Sequence, residues 1–334
     1  MAPRLRAAVT RRPEAAILTL VLLSTLVVRR GAPAGIFVLG LIPGSIGALD
    51  AVAVVLIYRS SRVVNIAQIS LSVLASTIFA SMVTFEPLAR WTRDLCGTSC
   101  LRRTPGWFDD LSYALSAVIA IAIAVGLSWA AYQLVIRPLE KAPRLVGTVA
   151  TIFLVSVFGV MAKKVPDLLA SRSQKEAQIG VGAPAQPFHA TVHFGGVRFG
   201  SAAMLTVAVA VVAVPVLTAY LRRSATGVAI RASSGAPSAM AAVGIDVRRV
   251  TSRVWLIAGL LAGLAGVLST MGSAPPPAGT SVNAQVLVRV LAAAVIARFV
   301  SLPLAAAASV AMVCSTSSWA TAMARASRSM SRCS

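Results

Sequence analysis

The side chains able to do chemistry are few, and their spacing argues against an enzyme. Asp50 interrupts a long apolar run. An ionised carboxylate at mid-bilayer costs roughly 2.5–3.5 kcal/mol on the insertion scale, so it is a paired or protonated pathway residue or a liability. His189 and His193 alternate with apolar residues ahead of Gly195-Gly196, the pattern of a short hairpin with both rings on one face. Two ligands alone make a weak metal site. Ser45 follows Gly44 inside an apolar segment, yet no histidine lies in any such segment, so the serine has no base and a Ser–His intramembrane protease is excluded. Cys96 and Cys100 are spaced C-x3-C in a polar stretch, which suits an external disulfide. A structural zinc would need two more ligands that the stretch lacks. Cys314 and Cys333 suggest no site. No G-x-x-x-x-G-K-[ST] occurs, so the chain does not itself bind ATP through a P-loop. Catalytic and metal-binding residues are therefore expected to be none.

The elements that position these residues follow from composition. Of 334 residues 57% are apolar and 12% charged, with a mean hydropathy of +0.82. A soluble domain carries about twice that charged fraction. A secreted mini-domain, a disordered tail and an ordinary cytosolic enzyme are excluded. A membrane-crossing helix needs roughly 20 apolar residues. Such runs occur at Ala34–Tyr58, Ile66–Phe85, Leu111–Ile136, Leu145–Ala162, Ser201–Leu221, Val254–Gly272 and Val286–Val313. A shorter one, Ala15–Val28, is fenced by Arg11, Arg12, Arg29 and Arg30; it reads as a span or as a cleaved signal peptide ending near Ala32-Pro33-Ala34. No strand-length alternation recurs as a barrel requires. The expected class is an all-α, polytopic transmembrane bundle of about eight spans, occupying 1–313, followed by an atypical 314–334 tail rich in Ser, Arg, Met and Ala.

Charge sets orientation. Lys and Arg number 31 against 10 Asp and Glu, a net +21. With eight spans and the N-terminus in the cytoplasm, inner segments hold 18 basic residues and outer segments 11. Subtracting acidic residues leaves +15 inside and +5 outside. Arg289 and Arg298 fall in the last span. Because the charge is spread over separate loops rather than gathered on one module, no nucleic-acid partner is expected. The lipid bilayer is the partner it implies, through anionic headgroups.

The long inner loop, residues 222–253, is the most patterned. Pro237 suits a first helical position and Gly244 the position just past the end, with Ala239, Met240 and Val243 forming an apolar side. Asp246 can cap the helix that follows. The short helix either packs on its own bundle or docks a soluble partner.

Five stretches carry a resemblance. Leu221–Ala232, including Arg231, with Ala239–Ile245 and Trp255–Val267, is similar to permease subunits of branched-chain amino acid ABC importers. So are Leu56–Gln68 and the Phe194–Gly200 hairpin. The likeness runs from about Pro33 to Ala311, and its motifs recur in amino-acid, amide and urea permeases. It implies pairing with a second permease, two cytoplasmic ATPase subunits that bind the ATP, and an extracytoplasmic substrate-binding protein, in the cytoplasmic membrane. It also implies that Arg231 and Pro237–Gly244 form the ATPase coupling element and that Asn65 and Gln68 lie near the translocation path. From their types alone, Asn65 could equally cap the third span and Gln68 bond a neighbouring helix. Departures from the family are Gly235 and Ala236 in place of an acidic residue and Asn, Ile69 and Ser70 after Gln68, Asp50 itself, and Ala297–Leu304 without the usual glycines. A decayed or non-conducting subunit of the same family is the second reading. Small residues four apart, Gly259 with Gly263 and Ala262 with Gly266, should let a neighbouring helix approach. Pro43 with Gly40, Gly44 and Gly47 should kink or break the second span.

Overall fold

A computed structural model describes residues 34–88, 106–176, 181, 191–194, 197–224, 227–230, 246–271 and 284–330. Its helices are α1 (Ala34–Ser61), α2 (Ala67–Phe85), α3 (Gly106–Ala131), α4 (Arg144–Leu169), the short α5 (Arg172–Glu176), α6 (Ser201–Arg223), α7 (Val247–Thr270), α8 (Ala284–Ile296) and α9 (Leu302–Met330). Strands β1 (Thr191–Phe194) and β2 (Val197–Gly200) pair antiparallel, with Thr191 opposite Gly200 and Phe194 opposite Val197. The protein is an all-α polytopic bundle to which this hairpin is appended. Six of the helices are long and apolar enough to cross a membrane, and α8 and the first half of α9 are shorter apolar helices. The Ala15–Val28 segment, Cys96, Cys100, Cys333 and His189 lie outside the described residues.

Local chemistry explains the helix limits. Asp246 caps α7, accepting from the backbone N–H of Arg248 at 3.0 Å and of Arg249 at 3.3 Å. The helix therefore begins several residues before the apolar stretch at Val254. α1 ends where Arg62 turns left-handed at φ 56°. α3 gives way to a π turn over Tyr132–Ile136 and a 3-10 turn over Arg137–Lys141 that contains Pro138. α4 runs past Lys163 and Lys164 to Leu169, because long basic side chains can reach the interface from a helix that continues. α1 passes through Pro43 without a break.

Burial separates an inner set of helices from an outer set. Every residue from Leu49 to Ile57 is 0–3% exposed, so α1 is covered on all sides. A helix apolar all round belongs in such a position. It packs against α9, α7, α6 and α8, while α7 also packs on α2 and α3, and α2 on α4. Buried residues make up 78% of the apolar windows of α1 and α2 and 67% of that of α7, against 28% for α3 and α4 and 22% for α6. The outer helices turn Val118, Val149, Phe153, Val211 and Val212 outward. In a bilayer such faces carry no solvation penalty, since lipid tails are as apolar as the side chains.

Glycines mark the close crossings. A Cβ on Gly259 would stand 2.6 Å from the Ser128 Cβ of α3, and one on Gly263 would stand 2.9 Å from the Ile121 Cα. One on Gly266 would collide with the Ser72 backbone oxygen of α2. On α1, Gly44 and Gly47 face Val310 and Ser309 of α9. The glycines of α1 thus serve helix approach, not a broken helix.

The stretch read as one span from Val286 to Val313 is two helices. At the break Arg298 and Phe299 both adopt left-handed backbone, φ 54° and 57°. Two such residues cannot continue a right-handed helix. α8 and α9 pack on each other and both pack on α1, so the break folds the chain back. Phe299 meets Tyr58 with ring centroids 4.4 Å apart, and Ser309 and Val310 meet Gly47 and Gly44. That reverse order makes α9 antiparallel to α1. The chain therefore heads back toward the side on which α1 begins, and Arg325 and Arg328 leave the side that holds Arg59 and Arg62. They therefore do not share a side with Arg59 and Arg62, whereas the count of inner charge supposes that they do. Residues 314–330, read as an atypical tail, continue α9 as helix.

Candidate functional site

The three polar residues flagged in the apolar segments come together. Asp50 is 3%, Asn65 3% and Gln68 0% exposed, at the junction of α1, α2 and α7. Asn65 precedes α2, and its Oδ1 accepts from the Ala67 backbone N–H at 3.1 Å. Its amide Nδ2 reaches Gln68 Oε1 at 3.5 Å. Gln68 Nε2 crosses to α7 and donates to the Ala258 backbone oxygen at 2.8 Å. One turn on, Ser72 Oγ donates to Asp50 Oδ1 at 2.6 Å and stands 3.4 Å from the Gln68 backbone oxygen. Asn65 thus meets the first N–H of α2 from the position before Ile66, the residue at the N-cap, and Gln68 bonds the neighbouring helix; both belong to one chain of hydrogen bonds that also reaches Asp50.

The fold dictates this convergence. Residues 65, 68 and 72 are three and four apart, so one side of the α2 entry carries them all. Gly266 removes the side chain that would hold α7 away from Ser72. Ser128 Oγ of α3 donates to the Trp255 backbone oxygen at 2.7 Å and fixes α7 from its far side. Tyr132 stacks near Trp255 at 5.9 Å. No basic side chain pairs with Asp50 among the described residues. Buried hydroxyls of Ser70 and Ser81 and the Trp255 indole N–H lack partners. The junction can hydrogen-bond and attract positive charge.

Sequence reasoning missed Ser72 and the Ala258 carbonyl. The signal for Ser72 was its place four residues after Gln68, masked by the many serines of α2. Nothing in a sequence marks one backbone carbonyl of a long helix. Arg231, Pro237, Ala239, Met240, Val243 and Gly244 lie outside the described residues, as do Gly235 and Ala236. Of the 222–253 loop, residues 222–224, 227–230 and 246–253 are described, and the Asp246 carboxylate pairs with Arg249 at 3.1 Å on the surface.

No match to the chain is found among curated proteins or solved structures. The family model of the permease component of branched-chain amino acid transport systems matches residues 36–332. That extent runs beyond Ala311 and takes in nearly all of the 314–334 segment. A helical bundle with six membrane-length helices among the described residues and a match over nearly its whole length leave one assignment: this multi-pass membrane protein belongs to the branched-chain amino acid permease family.

Proposed function

We propose that the chain is the membrane-spanning subunit of an ATP-binding-cassette importer, moving branched-chain or related amino acids across the cytoplasmic membrane by alternating access. The observation that carries this is the family match over residues 36–332. The buried Asp50–Ser72–Gln68–Asn65 chain supports a polar path among α1, α2 and α7, since intramembrane ionisable groups mark substrate pathways. In this reading the subunit does no covalent chemistry and holds no cofactor. Two ATPase subunits bind the ATP, a second permease completes the path, and an extracytoplasmic binding protein delivers the cargo. Arg231 and Pro237–Gly244 form the element the ATPases push. Asp246 ties that element's end to α7, so a push reaches the junction through Ala258. No observation favours the non-conducting reading.

The test is ATP hydrolysis by the assembled complex in lipid nanodiscs. Binding protein loaded with leucine should raise the rate above that with empty binding protein. An assembled complex whose hydrolysis ignores the loaded binding protein contradicts the proposal.

A further inference from the structure

We infer that Asp50 is the counter-charge for the ammonium group of the cargo, which restricts the path to amine-bearing substrates and excludes neutral amides and urea. The inference rests on the importer reading above and assigns a substrate class to its site.

The argument starts from what surrounds the carboxylate. Asp50 lies 11 residues before the end of α1, about 16 Å along the helix, and is 3% exposed. Its partner is a serine hydroxyl, which has one proton to give. The same Oγ stands 3.4 Å from the Gln68 backbone oxygen, so two acceptors compete for that proton. An ionised carboxylate has about four lone-pair sites, and among the described residues one hydroxyl leaves most of them unmet. Gln68 Nε2 gives one of its two N–H groups to the Ala258 carbonyl, and among the described residues only the Ser72 hydroxyl bonds to Asp50. A primary ammonium brings three N–H donors and the compensating charge. A urea or carboxamide brings donors without the charge and would leave the carboxylate uncompensated in a low-dielectric setting. Ser72 then positions the carboxylate, and Gln68 holds α2 to α7 beside it.

The experiment compares full complexes in proteoliposomes, with uptake of radiolabelled leucine measured at saturating binding protein. Asp50→Asn keeps the shape and removes the charge; it should lower uptake about tenfold or more while the complex still assembles. Ser72→Ala removes the hydrogen bond and keeps the charge, so uptake should fall by no more than about threefold. If Asp50→Asn does not assemble, Asp50→Ser carries the same comparison. Equal losses in the Asp50 and Ser72 variants, or wild-type uptake with Asp50→Asn, overturn the inference and leave the importer reading intact. Uptake that requires sodium or potassium assigns the counter-charge to an inorganic cation and also overturns it. A wild-type complex that moves urea or a neutral amide and not leucine removes the substrate reading and this inference together.

Discussion

Gln68 is the residue on which the central junction depends. Its amide spans from α2 to the Ala258 carbonyl, and its oxygen receives Asn65. Replacing it with Leu fills the space and deletes both bonds. Hydrogen bonds between membrane helices average about 0.6 kcal/mol and reach about 1.7. Gln68→Leu should therefore destabilise the detergent-solubilised protein by about 1 kcal/mol, read as a lower midpoint of thermal unfolding. An unchanged midpoint removes Gln68 from the packing account. Arg298 makes the opposite prediction. Its φ of 54° is a conformation glycine adopts freely and an L side chain occupies at a cost of roughly 1–2 kcal/mol. Arg298→Gly should raise the unfolding midpoint, by about 1 kcal/mol after glycine's larger unfolded-state entropy. A lower midpoint would show that the arginine's own contacts outweigh the backbone cost. These two positions show what residue types reveal. Asn65, Gln68 and Asp50 stand out in the sequence because polar groups in apolar runs are expensive. The left-handed turn at Arg298 and Phe299 does not, because neither residue type announces it.

Among the elements, α7 ties the buried α1 and α2 to the outer α3. It contacts α1, α2 and α3, and its small residues decide how near each can come. Gly266→Ala should be among the costliest of glycine changes, since the added methyl meets backbone, which cannot rotate away. Overpacking of this kind costs typically 1–3 kcal/mol. Gly126→Ala on the outer helix α3 is the control, with nothing within 4 Å of the added atom. The expected result is a drop in unfolding midpoint for Gly266→Ala and little change for Gly126→Ala. Similar effects at both sites would mean that α7 does not pack on Ser72 as described. The small-residue spacing on α7 was legible in the sequence because it follows the helical repeat. The fold-back between α8 and α9 was not, because hydropathy sums over a window and a five-residue break of Ala, Arg, Phe, Val and Ser barely lowers the sum. The start of α7 escaped hydropathy for the opposite reason: its first turns are basic, and the Asp246 cap is what sets the boundary.

On the scale of the molecule, the apolar composition resolves into a buried triad of α1, α2 and α7 and a ring of helices with outward apolar faces. The bundle class was legible because length and apolarity alone decide membrane crossing. The direction of the chain end was not, since counting one span where two helices stand reverses everything after it. The antiparallel course of α9 means that its basic residues do not share a side with Arg59 and Arg62 at the end of α1. What the bundle is for rests on transport. The most direct measurement is ATP-dependent accumulation of radiolabelled leucine in proteoliposomes that contain this chain with the second permease, the ATPases and the binding protein of a branched-chain amino acid importer. The account predicts accumulation that needs ATP and all subunits and disappears without this chain. An intact, correctly assembled complex that hydrolyses ATP and accumulates no amino acid would contradict it.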